Sequence, residues 1–187
     1  MKKITTLYRK DPNDLSRVIN EVDPANEWVF KEPHAVKATR KYDVTACAVI
    51  NGELYKRYDV KKGRPVPVNA IPCQDPDPIT GHWPHWVRCE RNNPADAYHF
   101  EGFEDFDGIP TDGTYELCGP KVQGNPEKFN RHTLCAHGAH DLKINTRHVD
   151  FDVLHDFLAT HDIEGIVFNH VDGRMCKLRK SDFGIKR

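Results

Sequence analysis

The sequence predicts an α+β fold with mainly antiparallel sheets and helices on their flanks. Three observations predict it. Residues 44–60 alternate like a β-hairpin around an Asn-Gly turn, residues 151–162 carry apolar side chains at helical spacing, and residues 164–180 contain two strand-like runs joined by a tight turn. The chain has no internal repeat and no low-complexity segment. We therefore expect a single domain over residues 1–187.

The first predicted element is a short helix over residues 13–20. This segment follows an Asp-Pro pair and places Leu15, Val18 and Ile19 at helical spacing. The hairpin comes next, and its Asn-Gly turn at 51–52 is the strongest short-range signal in the chain.

The register of this hairpin has a consequence for charged residues. A two-residue turn at 51–52 places Arg57 opposite Ala46 on the partner strand. Arg57 is then expected within a few residues of Lys41, which precedes the first strand.

The remaining elements follow in order. Residues 61–97 contain seven prolines and are expected to form a long irregular excursion with one strand near 85–90. Residues 98–106 and 113–119 are predicted strands, separated by a turn-rich segment. Residues 151–162 are a predicted amphipathic helix that packs on the sheet.

Composition excludes several classes of protein. With 38% apolar and 29% charged residues, the chain has the composition of a folded globular protein. It has no signal-peptide core and no window near the roughly 20 apolar residues of a membrane helix, so we expect a cytosolic (cytoplasmic) protein without a membrane partner. The net charge of −1 argues against a nucleic-acid footprint over the whole surface, although cations concentrate at 61–64 and 177–187. The six cysteines form no C-x-x-C pair and are expected to be reduced and mostly buried.

Five separated segments carry charged residues in a fixed order: KYDVT (41–45), LYKRYD (54–59), GTYELCGPKVQGNPE (113–127), EGIVF (164–168) and CKLRK (176–180). Together they resemble the motifs of the covalent nucleotidyltransferase superfamily of ATP-dependent ligases and capping enzymes. The third segment and the C-terminal KLRKSDFG are most similar to the compact 5′-to-3′ RNA ligases. The resemblance spans residues 35–187 and implies a nucleotidyltransferase (adenylation-domain) core without a C-terminal oligonucleotide-binding domain.

The resemblance implies a catalytic group of three residues. Lys41 is the expected attachment point of AMP, Glu164 is the acid of the EGxV motif and an expected metal ligand, and Lys177 is a phosphate-binding cation of the last motif. A lysine amine with its ordinary pKa near 10.4 is almost fully protonated at neutral pH. A nucleophilic lysine therefore needs cationic neighbours or desolvation, and the cations of the other motifs are suited to supply the former.

The resemblance also implies further contacts to the nucleotide. Arg57 belongs to the second motif, Glu116 is expected to touch the ribose, and Arg179 is the second phosphate-binding cation of the last motif. Tyr42 and Phe129 are candidates for stacking on adenine.

The implied reaction joins RNA 5′-phosphate and 3′-hydroxyl ends through a lysyl-AMP intermediate and an adenylylated RNA 5′ end. It uses ATP with Mg²⁺ or Mn²⁺, and we expect a monomer that binds RNA. Residues 61–64 and 177–187 are the expected backbone contacts, and Trp83 and Trp86 the expected stacking platforms. DNA ligation and cap guanylylation are alternative reactions of the same superfamily.

One position departs from the family pattern. The first motif usually reads K-x-D-G, and here Val44 replaces the glycine, which would allow unusual dihedral angles or close backbone approach. The alternative is therefore a non-catalytic nucleotide- or RNA-binding homologue, which would bind ATP without forming an adduct. Since the other motifs keep their charged residues, we favour an active enzyme.

A second open question concerns the segment RHTLCAHGAH. The spacing of His132, Cys135, His137 and His140 permits a zinc site. No second cysteine cluster completes a familiar zinc pattern, so we expect a structural or substrate-facing role for these residues.

Overall fold

The predicted α+β class with mostly antiparallel sheets is confirmed by the computed structural model, which describes residues 4–187. The strands are β1 (Thr5–Thr6), β2 (Tyr8–Lys10), β3 (Val18–Val22), β4 (Val36–Lys41), β5 (Thr45–Ile50), β6 (Glu53–Val60), β7 (Ile71–Pro72), β8 (Trp83–Arg88), β9 (Gly113–Cys118), β10 (Thr133–Ala136), β11 (Gly165–His170) and β12 (Met175–Arg179). The α-helices are α1 (Trp28–Lys31), α2 (Ala97–Glu104), α3 (Phe151–Thr160) and α4 (Lys180–Phe183).

The described chain divides into two compact units. The inserted unit consists of residues 43–137, and the terminal unit consists of residues 4–42 and 138–187. The single domain over residues 1–187 stays a prediction.

The terminal unit is built on a four-stranded sheet with the strand order β1-β12-β11-β4, beside a two-stranded β2-β3 pair. Strands β4, β11 and β12 are antiparallel neighbours, and β1 joins β12 in parallel. One face of these strands, which includes Ile166 and Leu178, is buried in a core with Leu154 and Leu158 of α3. Because side chains alternate along a strand, the opposite face is left for polar residues.

The inserted unit contains a six-stranded sheet with the order β10-β9-β5-β6-β8-β7, antiparallel throughout. Its core includes Leu54, Tyr115 and Leu117, and Phe100 and Phe103 of α2 pack against that core.

Strands β5 and β6 pair in the predicted register, from Ile50–Glu53 next to the turn to Cys47–Lys56. Asn51 and Gly52 have φ angles of 52° and 75°. Positive φ at both central residues is what the hairpin turn requires, and it explains the Asn-Gly sequence. The Asp112 carboxylate accepts hydrogen bonds from both amides, at 2.7 and 3.0 Å.

Several other predicted elements are confirmed. Strands β9 and β12 lie within the predicted segments, β8 and β11 overlap theirs, and α3 covers most of 151–162. Helix α3 begins after Asp150, whose side chain accepts a hydrogen bond from the Val153 amide at 3.0 Å. Such an N-cap satisfies an amide that has no partner within the helix.

The predicted helix over residues 13–20 is wrong, since this segment is a turn that leads into β3. The Asp11 carboxylate accepts from the Asn13 amide, and the Asp14 carboxylate accepts from the Ser16 amide and hydroxyl. Short polar side chains that bond the backbone two residues on favour turns over helices.

The predicted strand over residues 98–106 is also wrong, because α2 occupies this segment. The start signal lies upstream, where the Asn93 side chain accepts from the Ala95 amide and Pro94 opens the first turn. Phe100 and Phe103 then have the i, i+3 spacing of one helix face. Strand β10, within the histidine-rich segment, was not predicted.

No disulfide joins any of the six cysteines, and four of them are buried, which agrees with the expectation that most are buried. Among the described residues, no helix is both long enough and apolar enough to cross a membrane.

Candidate functional site

Three adjacent strands of the terminal unit bring together the cations of the first and last motifs. Gly165 of β11 pairs with Lys41 of β4 on one side and with Arg179 of β12 on the other. Lys177 lies two residues before Arg179 and therefore on the same face of the sheet. This face is opposite to the apolar core, so three of the predicted cationic residues share one polar surface.

Gly165 has a steric reason to be glycine. A Cβ atom at this position would lie 3.0 Å from the Cα atom of Arg179 and would meet the Leu178 carbonyl oxygen even more closely. The close approach of β12 therefore excludes a side chain here. The glycine of the EGxV motif is thus needed for the strand pairing that aligns Lys41 with Arg179.

The predicted nucleophile and the predicted acid contact each other directly. The Lys41 ammonium forms an ion pair with the Glu164 carboxylate and donates a second hydrogen bond to the Tyr42 carbonyl at 3.1 Å. The two side chains keep 21% and 15% exposure. The pair is therefore largely desolvated but still open to a ligand.

The Lys177 ammonium is partly buried among the other charges of this surface. Burial lowers the pKa of its ammonium group, and the neighbouring charges of Arg179 and Lys41 lower it further. Glu164 acts in the opposite direction. An anion bound to this surface would relieve the repulsion among the three cations.

Arg179 is held in place by Asp182, a residue that sequence reasoning missed. The Asp182 carboxylate accepts from the Arg179 guanidinium at 2.9 Å and from its backbone amide at 2.8 Å. Lys10 reaches the same carboxylate, at 2.6 Å, and the Asp182 side chain is fully buried. The signal was the i, i+3 spacing of Arg179 and Asp182 at the start of α4.

Glu116 lies in β9 of the inserted unit, between β5 and β10. Glu116 is only 8% exposed, and Nε2 of His137 lies 3.2 Å from Oε1 of the Glu116 carboxylate. His137 is oriented in turn by Thr114, whose hydroxyl lies 2.9 Å from Nδ1. The second carboxylate oxygen, Oε2, is buried and has no hydrogen-bond partner. Buried polar atoms nearly always have partners, so this oxygen is poised to accept from a ligand.

Arg57 lies in β6, where it pairs with Trp86 of β8. Its guanidinium Nε donates to the Asp59 carboxylate at 3.1 Å, and about a third of the side chain is exposed. Ala46 of β5, the predicted cross-strand partner of Arg57, pairs with Glu116 of β9, the neighbour of β5 on the opposite side from β6. The expected proximity of Arg57 to Lys41 stays a prediction.

Val44 occupies the position of the usual motif glycine without an unusual backbone. Six described non-glycine residues have positive φ, and Val44 is not one of them. Its side chain packs against the core of the inserted unit. The local fold therefore does not need the conformational freedom of glycine at this position.

The GNPE block has a structural role that its sequence did not suggest. Gln123, Asn125 and Lys128 all have positive φ, so the block is a tightly wound loop. The Asn125 side chain bonds both the amide and the carbonyl of Phe129, at 3.0 and 2.9 Å. The buried Glu127 accepts from the Asp43 amide at 3.2 Å, which ties the loop to the first motif.

The histidine-rich segment has structural contacts. His132 lies 2.6 Å from the Glu101 carboxylate and stacks on Tyr98. His137 is the Glu116 partner described above. No three ligand atoms of this segment gather into a metal-binding group among residues 4–187. These contacts favour the structural role over zinc.

The aromatic residues differ in how well they suit stacking. Trp86 is buried, so the expectation of a stacking platform there is wrong. Trp83 is half-buried, and its indole donates to the Gln74 carbonyl at 2.7 Å. Tyr42 is buried as well, with the Arg40 guanidinium 5.1 Å from its ring centre. Phe129 is half-buried.

The predicted RNA-contact tracts also differ. Residues 61–64 are all exposed, whereas residues 177–187 are a mixture of buried, half-buried and exposed residues.

No protein-family model matches the chain, and no curated protein matches it either. The family resemblance therefore depends on the motif residues, whose geometry is described above.

Proposed function

We propose that the protein is an ATP-dependent RNA ligase that joins 5′-phosphate and 3′-hydroxyl ends. The observation that carries the proposal is the Lys41–Glu164 ion pair on a polar sheet face shared with Lys177 and Arg179. A lone lysine at a strand end is commonplace. A largely desolvated lysine that contacts a carboxylate, with two cations beside it, is suited to phosphoryl chemistry.

In the first step, the Lys41 amine attacks the α-phosphorus of ATP. A bond forms between Nζ and phosphorus, the bond from the α-phosphorus to the bridging oxygen breaks, and pyrophosphate leaves. Lys41 must first lose a proton, which the Glu164 carboxylate in contact with its ammonium would accept.

Lys177 and Arg179 would bind the phosphate oxygens and stabilise the charge that develops on them during attack. Arg179 is preoriented for this task because the buried Asp182 holds its guanidinium. Asp182 is thus a positioning residue.

The donor set fits Mg²⁺ or Mn²⁺. Mg²⁺ is commonly held by one or two carboxylates together with substrate phosphates and water, and Glu164 is a partly exposed carboxylate on this face. When bound, the metal would neutralise charge on the departing pyrophosphate.

In the inserted unit, Glu116 offers its buried, unpartnered Oε2 to a ribose hydroxyl. A hydroxyl that donates to this atom would satisfy it without adding charge. By the family resemblance, Arg57 is the expected cation of the second motif.

The later steps use the lysyl-AMP. An oxygen of the RNA 5′-phosphate attacks the AMP phosphorus, and the phosphorus–nitrogen bond to Lys41 breaks. A 3′-hydroxyl then attacks the activated 5′-phosphate and AMP leaves. The exposed cations at 61–64 are suited to contact the RNA backbone.

The test is the intact mass of the purified protein after incubation with ATP and Mg²⁺. We expect one added AMP per chain, removed by pyrophosphate and absent from Lys41→Ala. The matched control is Lys37→Ala, since Lys37 lies on the same strand and face and its ammonium donates to the Gly138 carbonyl at 2.9 Å. An adduct that persists in Lys41→Ala would overturn the assignment of the nucleophile.

The second step of the test separates a ligase from the non-catalytic alternative. The pre-adenylylated protein is mixed with a nicked RNA duplex, and we expect sealed product and free AMP. Folded protein that binds ATP but forms no adduct would replace the ligase with the binding homologue. Repeating the assay with GTP and with nicked DNA distinguishes cap guanylylation and DNA ligation.

A further inference from the structure

A second cluster of reactive side chains lies in the inserted unit, outside the residues discussed above. Cys89 directly follows β8, Asp96 precedes α2, and His99 lies in the first turn of α2. All three are buried, and one potential ligand atom from each lies within 4.8 Å of the others. It is the one such three-residue group among residues 4–187.

His99 is the observation that points to a ligand. His99 is only 8% exposed, and neither nitrogen of its ring has a hydrogen-bond partner. An imidazole has one donor and one acceptor nitrogen in its neutral form, and buried groups of this kind are nearly always bonded. A bound cation would satisfy the acceptor nitrogen.

Asp96 is already oriented as a ligand should be. One oxygen accepts from the Glu90 amide and the Asn93 side chain, at 3.1 and 3.2 Å, and the other accepts from the Lys56 ammonium. An ionised carboxylate has about four acceptor sites, so these three bonds leave one. Outer hydrogen bonds of this type fix the ligands of metal sites in other proteins.

The spacing of the three residues fits one small site. Asp96 and His99 are three residues apart at a helix start, which places them on one helix face. Cys89 pairs its amide with the Leu54 carbonyl at 2.9 Å and is thereby anchored to the sheet. The cluster thus joins the end of β8 to the beginning of α2.

We propose that Cys89, Asp96 and His99 bind a single Zn²⁺ ion. A thiolate, an imidazole and a carboxylate are the donors that Zn²⁺ takes, whereas Mg²⁺ and Ca²⁺ take oxygen donors. The Cys89 thiol loses its proton when the sulfur–zinc bond forms, and a donor from outside the protein completes four-coordination. The ion stabilises the junction of β8 and α2 and is independent of the adenylylation chemistry.

The first test is a calorimetric titration of chelator-treated protein with Zn²⁺ alone. We expect one equivalent to bind. Cys89→Ser and His99→Gln should each weaken binding by more than about 100-fold, beyond the loss that outer partners of a metal site cause. The matched control is Cys73→Ser, a partly exposed cysteine of the same unit, which should bind as the wild type does. Lys41→Ala should also bind Zn²⁺ normally, so failure of the ligase proposal would not affect this one.

A second measurement needs no variant that might misfold. X-ray absorption at the zinc edge of the wild-type protein should show one sulfur ligand at about 2.3 Å and nitrogen or oxygen ligands at about 2.0 Å. The proposal is overturned if no Zn²⁺ binds, if the spectrum shows no sulfur or more than one, or if folded Cys89→Ser and His99→Gln bind as tightly as the wild type.

Discussion

The charged surface of the terminal unit and the buried polar groups of the inserted unit meet their hydrogen-bonding needs differently. Lys41 has Glu164 and Arg179 has Asp182, so the terminal unit carries paired charges. Among the described atoms of the inserted unit, Oε2 of Glu116 has no hydrogen-bond partner, and the two ring nitrogens of His99 have none either. A buried unpartnered group costs on the order of 1–3 kcal/mol.

The difference separates two ways of preparing a site. Paired charges are held in place before a ligand arrives, and each can exchange its partner for a phosphate. Because each charge already has a partner, it does not destabilise the ligand-free protein. Unpartnered buried atoms lower stability until a ligand reaches them. Removing a paired, buried carboxylate such as Asp182 should therefore affect stability first, and removing an unpartnered acceptor such as Glu116 should affect ligand affinity first.

The largest effect is expected for Asp182→Ala. It leaves Arg179 and Lys10 without their shared, fully buried carboxylate, and breaking a buried ion pair costs about 3–5 kcal/mol. Chemical denaturation measures the loss. The control Asp156→Ala removes a carboxylate of α3 that is 80% exposed and should change stability by less than about 0.5 kcal/mol. A loss for Asp182→Ala as small as that of the control would contradict the paired-charge account.

The pH dependence of stability gives a second readout of Asp182. Burial raises the pKa of its carboxyl, but hydrogen bonds from Arg179 and Lys10 outweigh burial and hold the pKa below its ordinary value. A carboxyl with a lowered pKa in the folded state contributes stability above the unfolded pKa of about 3.9. The contribution is lost as the pH falls through the folded-state pKa. The unfolding free energy should therefore fall in acid more steeply for the wild type than for Asp182→Asn.

A smaller effect, on affinity and not on stability, is expected for Glu116→Gln. The amide keeps the shape of the side chain but weakens a bond from a ribose hydroxyl, so KM for ATP should rise about 10-fold, consistent with a loss of roughly 1.4 kcal/mol. Steady-state adenylylation measures KM.

The matched control for this substitution is Glu101→Gln. Glu101 also contacts a histidine, His132, but its side chain is 57% exposed. It should leave KM unchanged. An unchanged KM in Glu116→Gln would remove Glu116 from the nucleotide site.

The local features of the fold could be predicted from the sequence, because their causes lie within a few residues. The Asn-Gly turn at 51–52 requires positive φ, and the stripe of α3 requires helical spacing. Helix α2 was missed because its phenylalanines suit either a strand or a helix. The capping signal at Asn93 and Pro94 decides between the two.

The charged contacts of the candidate site could be predicted only in part. Lys41 and Glu164 are 123 positions apart, and their contact depends on a strand register that one sequence does not encode locally. The same reason hides the pair of His137 and Glu116. Asp182 is different, since its i, i+3 spacing from Arg179 can be read from the sequence. Its complete burial, which makes the ion pair with Arg179 important for stability, cannot.

The smallest effect is expected for Val44→Gly. This substitution tests whether Val44 matters for packing of the inserted unit or for the adenylylation reaction. Val44 packs on the core and has no positive φ, so glycine should lower stability by about 1 kcal/mol through lost contact and a freer unfolded chain. The rate of adduct formation should stay as in the wild type. Val68→Gly, at a valine that is 87% exposed, isolates the backbone contribution. A large gain in adduct for Val44→Gly would mean that valine blocks close approach of the nucleotide, and would favour the binding homologue as the function of the natural sequence.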